Sequence, residues 1–323
     1  MSDRVFVTRS IPEVGLSKLS AATDCNVWPD QLPPSADRLK ELCQGCAGVL
    51  TLLSDRIDGA FFDAVGPQLK VVSNFAVGYN NIDVAEATRR GIAVGNTPDV
   101  LTDATADVAV GLLLAAARCF REGIENVAQF AWKTWEPMGF IGQDLSERTL
   151  GIVGMGRIGR ATARRLRHGW KMNVVYTSRT PRPDAEQELQ ARRVELSELL
   201  ETSDFVSIHT DLNPGTEQMF DASAFAAMKS TAVLVNTSRG GVVDQSALAT
   251  ALANGQIFAA GLDVTDPEPL PGDSELHELP NCVILPHIGS GTVNARNAMA
   301  EIAADNLLQG LAGEPLRHQV LPS

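Results

Sequence analysis

The chain has 323 residues, so about two domains are expected, enough to bury sizeable cores without disulfide staples. With 44% hydrophobic and 20% charged residues the composition is that of an ordinary globular protein. A net charge of -12 with no basic stripe to offset it argues against a nucleic-acid or anionic-membrane partner, so any anionic substrate must be held by a few local cations.

Five cysteines, an odd number, give no disulfide framework. Cys43-Gln44-Gly45-Cys46 has the spacing of a redox or zinc pair, but it precedes the apolar run 49–53 instead of opening a helix, and no second pair follows. It reads as structural, with no metal expected. The start, Met1-Ser2-Asp3-Arg4-Val5, lacks a signal-peptide apolar region, and the longest apolar stretch, 108–117, is too short to span a membrane. A cytoplasmic protein is the expectation.

From residue 4 to residue 100 strands and helices alternate. Strands are expected at 5–7, 26–28, 48–53, 71–74 and 92–94, and helices at 12–21 and 36–43. Such alternation predicts a parallel sheet covered by helices on both faces. Thr102 can cap a long helix over 103–120 that is apolar on nearly all faces and therefore buried. The stretch 123–146 fits neither rhythm. With Trp132 and Trp135 among Pro137, Gly139 and Gly142, it reads as an arm that packs on another subunit.

A second series of strands follows at 150–153, 173–176, 205–208, 233–235, 259–262 and 283–285, fitting a doubly wound sheet. The first of these ends in Gly154-Met155-Gly156-Arg157-Ile158-Gly159 and leads into a helix, the setting in which this glycine spacing means dinucleotide binding. Gly154 permits the tight turn, Gly156 the approach of a pyrophosphate, and Gly159 close packing of helix on strand. A final helix over 294–311 comes too late for this sheet and is expected to return to the first domain. Residues 1–100 with 288–323 would then form a discontinuous substrate domain. Residues 101–287 would form the dinucleotide domain, with its arm near 123–146.

An NAD site normally places an Asp or Glu after the second strand, where it accepts from the ribose 2′-hydroxyl. Here the chain reads Thr177-Ser178-Arg179-Thr180-Pro181-Arg182. Two guanidinium groups and the hydroxyls of Ser178 and Thr180, with the acid missing, favour NADP, and NAD is the weaker alternative. Three ionisable residues sit just after later strands: Arg239 in Asn236-Thr237-Ser238-Arg239-Gly240-Gly241, Glu268 in Asp266-Pro267-Glu268-Pro269, and His287 in Pro286-His287-Ile288-Gly289-Ser290. Reducing a 2-keto acid needs a cation for the carboxylate and an acid for the alkoxide. Arginine pairs with a carboxylate bidentately, histidine exchanges a proton near neutrality, and a carboxylate beside an imidazole orients it and favours its charged form.

On these residues the sequence resembles the D-2-hydroxyacid dehydrogenase family, and within it the glyoxylate/hydroxypyruvate reductases. The resemblance covers essentially the whole chain. Its most specific marks are residues 74–83 (Asn74 to Asp83), Gly95-Asn96-Thr97-Pro98, the glycine fingerprint, Ser238-Arg239-Gly240, Gly261-Leu262-Asp263-Val264 and residues 285–290. It implies a Rossmann-type doubly wound α/β domain plus a smaller flavodoxin-like α/β substrate domain, with a deep cleft between them. It also implies NADPH-dependent reduction of glyoxylate to glycolate and of hydroxypyruvate to D-glycerate by a homodimer.

Position by position, the resemblance makes His287 the proton donor, paired with Glu268. Val77 and Gly78 would offer backbone N–H groups to the substrate carboxylate and share it with Arg239, and Leu53 would line the pocket. Within the cofactor-binding fingerprint framed by Gly154 and Gly159, Gly156, Arg157 and Ile158 would sit at the pyrophosphate, and Arg179 and Arg182 would flank the 2′-phosphate. Thr237, Asp263 and Gly289 would lie along the nicotinamide, and Trp135 would reach the partner's active site. Asp211, after the strand at 205–208, is a departure that weakens the NADP reading, while Glu268 disfavours formate as substrate. The same chemistry on another 2-keto acid is one alternative, and a dinucleotide-sensing binding protein of the same fold is a second.

Overall fold

The computed structural model describes residues 2–322. The chain forms two units, Met1–Leu101 with Gly291–Ser323, and Thr102–Ser290.

In the first unit β1 (Arg4–Val7), α1 (Glu13–Ala22), β2 (Asp24–Val27), α2 (Ala36–Cys43), β3 (Gly48–Thr51), α3 (Gly59–Val65), β4 (Val71–Asn74), α4 (Val84–Arg89) and β5 (Ala93–Gly95) follow in order. The five strands are parallel in the order β2-β1-β3-β4-β5, the flavodoxin-like arrangement. Side-chain oxygens start α2, α3 and α4: Ser35, Asp58 and Asp83 accept from Arg38 N, Phe61 N and Glu86 N. β3 stops at Thr51 instead of running to Leu53. The cause is Asp55, whose carboxylate accepts from Thr51 Oγ1 (3.0 Å) and Leu52 N (2.8 Å) and curls the chain into a turn.

The second unit opens with α5 (Thr102–Ala117) and α6 (Phe120–Ala128). One helix over 103–120 was expected, and the structure breaks it at Cys119, which takes a left-handed φ of 54°. The Ala117 carbonyl that would accept from Arg121 in a continuous helix is taken by Gln143 N at 2.8 Å. Gly142 is pressed so close that a Cβ on it would lie 2.1 Å from that carbonyl oxygen. The stretch expected to be an arm therefore begins as helix, and its irregular part is 129–148, with Phe130, Trp132, Trp135 and Met138 exposed.

Beyond it come β6 (Thr149–Val153), α7 (Arg157–Trp170), β7 (Asn173–Thr177), α8 (Pro183–Leu189), β8 (Arg192–Arg193), α9 (Leu196–Thr202), β9 (Phe205–Ile208), α10 (Ala222–Ala227), β10 (Val233–Asn236), α11 (Gln245–Ala253), β11 (Ala259–Leu262) and β12 (Cys282–Ile284). These strands form a parallel sheet in the order β12-β11-β10-β9-β6-β7-β8, a doubly wound sheet with seven strands where six were expected. The extra strand, β8, is a pair of exposed arginines with no apolar run to announce it.

The last helix, α12 (Val293–Ala312), packs on α1, β3 and β4 of the first unit. Small residues set its approach: a Cβ at Gly310 would lie 2.5 Å from Val71 Cβ, and one at Gly15 would lie 2.7 Å from the Ala300 carbonyl. All five cysteines are unpaired, and Cys43, Cys46 and Cys282 are buried. Among the described residues no helix is long and apolar enough to cross a membrane. Gly310→Ala should overpack the α12–β4 contact and lower the free energy of unfolding by about 1–3 kcal/mol, read from urea denaturation. An unchanged midpoint would show that this helix is loosely docked.

Candidate active site

The parallel register of the second unit puts Thr177, Val153, Ile208, Asn236, Leu262 and Ile284 on one row. Ser178, Gly154, His209, Thr237 and Asp263 each follow a residue of that row, so they leave the sheet together at its carboxyl edge. Open α/β sheets bind ligands there, beside the point where strand order reverses, here between β6 and β9.

The fingerprint has the geometry a dinucleotide requires. Gly154 has φ +98°, and a Cβ on it would lie 2.6 Å from the His209 carbonyl oxygen. A Cβ on Gly159 would lie 2.3 Å from the Gly154 oxygen, while nothing stands within 4 Å of one on Gly156, where the chain faces open space. No side chain caps α7, whose first turn holds Arg157, Ile158 and Gly159. The first N–H groups of a helix have no partner within it and suit phosphate oxygens. Thr237 Oγ1 is buried with no partner, the mark of a hydroxyl that a ligand completes. His209, hydrogen-bonded to Ser207 Oγ at 2.8 Å, is kept neutral by burial, which lowers its pKa to about 3. These residues fit a nicotinamide dinucleotide.

At the end of β7, Ser178 Oγ donates to Thr180 O (2.6 Å) and Arg182 N donates to Tyr176 Oη (2.8 Å). Arg193 of β8 donates to the carbonyls of Ser178 (2.9 Å) and Arg179 (3.4 Å), bracing the turn from beneath. The Arg179 guanidinium is 88% exposed and 3.9 Å from Asp211, the acid that stood out in the sequence.

The structure brings Glu268 and His287 together. Glu268 Oε2 meets His287 Nδ1 at 2.8 Å, and Oε1 accepts from Thr265 N at 3.1 Å, so both carboxylate oxygens are fixed and the imidazole presents Nε2. Burial pushes the Glu268 carboxyl up. The His287 hydrogen bond and charge, with the Thr265 N–H and Arg239, outweigh it and hold the group below the usual carboxylate range. Burial lowers the Arg239 pKa against the opposing pull of Glu268, yet a guanidinium stays charged.

Arg239 is placed by Asn236, whose Nδ2 donates to Arg239 O (2.8 Å) and whose Oδ1 accepts from Ser238 N (3.0 Å). Gly240 lets this loop lie directly on the backbone of Thr265, since a Cβ there would sit 2.0 Å from the Thr265 carbonyl carbon. His287 itself has φ 53°. Asp263 holds that turn, its oxygens accepting from Ile288 N and Gly289 N, each at 2.7 Å, while Thr105 Oγ1 donates to Gly289 O at 3.1 Å. Burial raises the Asp263 pKa, opposed by the two N–H groups.

Leu53, Val77 and Gly78 belong to the first unit. The Ala76 carbonyl accepts from Thr97 N and the Val77 carbonyl from Asn96 Nδ2, each at 2.8 Å. A trans peptide points its N–H opposite its C=O, so the N–H groups of Val77 and Gly78 are turned away from these partners. Trp135 is 79% exposed on the irregular segment. Among the described residues no group of three or more His, Cys, Asp or Glu side chains could hold a metal ion. Asn74, Asn81, Asn96 and Asn236 stand within segments that the sequence singled out, but nothing there tells what their side chains hold; Gln245, which pairs with both backbone groups of Asp266, carries no pattern that separates it from an ordinary residue at a helix start.

Residues 110–289 match the model of the D-isomer specific 2-hydroxyacid dehydrogenase NAD binding domain. The chain is 49% identical over 315 residues to the human glyoxylate reductase/hydroxypyruvate reductase, covering 97% of this chain and 96% of that one. Among solved structures it is similar to the TT0316 protein of Thermus thermophilus, with TM-score 0.92 and 43% identity over 98% of this chain and 100% of the other. It is also similar to the NADPH-dependent glyoxylate/hydroxypyruvate reductase of Sinorhizobium meliloti in complex with NADP and malonate, with TM-score 0.83 and 33% identity over 99% and 97%.

Thr237→Val removes a buried hydroxyl that has no partner among the described residues. It should raise the stability of the ligand-free chain by about 1 kcal/mol and weaken dinucleotide binding. Thermal melts and fluorescence titration with NADPH read the two effects. Equal affinity in the variant would remove Thr237 from the cofactor site.

Proposed function

This chain belongs to the D-isomer specific 2-hydroxyacid dehydrogenase family, and we propose that it reduces glyoxylate to glycolate and hydroxypyruvate to D-glycerate, taking NADPH in preference to NADH. The observation that carries this reading is the Glu268–His287 pair at 2.8 Å, next to the charge of Arg239. It lies at the edge of a sheet whose first strand ends in the dinucleotide fingerprint. The names of near full-length relatives support the substrates.

A nicotinamide dinucleotide, which the glycine turn after β6 and Thr237 after β10 would hold, would supply the hydride for the keto carbon. The chain does the rest. Arg239 pairs with the acid's oxygens; in the first unit the Val77 and Gly78 N–H groups, turned away from the partners of the adjoining carbonyls, are backbone donors suited to a carboxylate. His287 Nε2 gives its proton to the carbonyl oxygen as that oxygen gains electron density, Glu268 holds the ring through Nδ1 throughout, and a solvent proton then restores the imidazolium. Asp263 keeps the histidine turn in place.

Three finer points go with this reading. The two arginines after β7, braced by Arg193, support NADPH, as does the complex with NADP described for the Sinorhizobium relative. The exposed Phe130, Trp132, Trp135 and Met138, beside a surface cavity of about 450 Å³ lined partly by Phe140, Ile141 and Pro280, support a homodimer built on this arm. Unpaired cysteines throughout support a reducing, cytoplasmic setting.

The test is steady-state reduction of both keto acids with NADPH and with NADH. NADPH-dependent turnover is expected, and absence of turnover with either acid overturns the substrate assignment. In the double variant Arg179→Ala/Arg182→Ala the KM for NADPH should rise about tenfold or more with that for NADH unchanged. Equal effects on both cofactors would sink the arginine assignment. Glu268→Gln weakens the contact that fixes the imidazole through Nδ1, so kcat/KM for reduction should fall about tenfold or more with the NADPH dissociation constant unchanged. Wild-type kcat/KM in this variant would contradict the pairing.

A further inference from the structure

Two asparagines of the first unit spend their side-chain amides on loop backbone. Asn74, the fully buried last residue of β4, donates from Nδ2 to Gly78 O at 2.8 Å and to Asn81 Oδ1 at 3.2 Å. Asn81 donates from Nδ2 to Leu52 O (3.0 Å), Asp55 O (3.1 Å) and Asn74 Oδ1 (3.4 Å). The turn 52–55, which carries Leu53, and the loop 75–81, which carries Val77 and Gly78, are thus joined through one pair of side chains. The turn is pinned from its other side by the Asp55 carboxylate, which accepts from Thr8, Thr51 and Leu52.

We propose that Asn74 and Asn81 are positioning residues for the keto acid. They fix the backbone donors to its carboxylate and the Leu53 side of its pocket as a single hydrogen-bonded unit. Asn74 holds the Gly78 carbonyl, which together with the Asn96 bond to the Val77 carbonyl defines both faces of the Val77–Gly78 segment. Asn81 then sets how far Leu53 stands from that segment. Carboxylate affinity and tolerance for the substrate's side chain follow from one adjustment, because neither loop can shift without breaking bonds to the other.

Only an amide serves at position 81. Its Nδ2 faces acceptor oxygens alone, so an aspartate of the same size would set a carboxylate oxygen against two carbonyls and an amide oxygen. Asn81→Asp is therefore the discriminating variant, because it leaves side-chain volume unchanged.

The proposal rests on the reductase reading, and the experiment separates the two. A wild-type enzyme that reduces no 2-keto acid defeats that reading. In an active wild-type background Asn81→Asp should raise the KM for glyoxylate about tenfold. It should also change the ratio of kcat/KM between hydroxypyruvate and glyoxylate, with kcat within about twofold and the NADPH dissociation constant unchanged. A thermally normal Asn81→Asp with wild-type KM and selectivity overturns the proposal, as does a parallel loss of NADPH affinity. Should that variant not fold, the unmutated enzyme decides: the Asn81 side-chain amide protons should exchange slowly and shift when oxalate binds the NADPH complex. Fast exchange, or no shift on saturation, overturns it.

Discussion

A single register row governs the second unit. Because Thr177, Val153, Ile208, Asn236 and Leu262 are neighbours along one line of the sheet, the chain leaves five strands at the same height. A slip of one residue in any pairing would invert that strand's faces and carry its loop out of level. Buried side chains on all residues of β9, β10 and β11 make such a slip costly. The sites of Gly154, His209, Thr237 and Asp263 are consequences of packing before they are matters of chemistry.

Charge is handled locally. The chain as a whole is acidic, at -12, yet the histidine end of the sheet assembles Arg239 and His287 around one carboxylate, Glu268. Each group there has a backbone keeper. Asn236 holds the Arg239 loop, Thr265 N holds Glu268, and Asp263 holds the turn after His287. Ionisable side chains on loops would otherwise lose rotamer freedom on binding, and these keepers supply much of that ordering beforehand.

The parts legible in the sequence were those that repeat or that chemistry restricts. Alternating apolar runs located the strands, and the fingerprint, Arg239, Glu268 and His287 stood out because few residue types can take their places. β8 was invisible because Arg192 and Arg193 pair by backbone alone with nothing apolar to mark them. The break at Cys119 was invisible because its cause, capture of the Ala117 carbonyl by Gln143, lies well beyond it along the chain. Asn74 and Asn81 stood in a segment that the sequence marked, but the loops they join were not legible there, because an amide that holds a loop differs from one facing water only in its tertiary partners.

The turn at His287 is shaped from outside. Its left-handed backbone is held by a carboxylate just after β11 and a hydroxyl on α5, both bonded to the backbone of the residues that follow the histidine. Scaffold and reactive group are therefore separable. Asparagine or glycine, which tolerate that conformation, can occupy the position with the turn intact, and a β-branched residue cannot. The direction in which this corner of the protein points is encoded elsewhere than in the histidine itself.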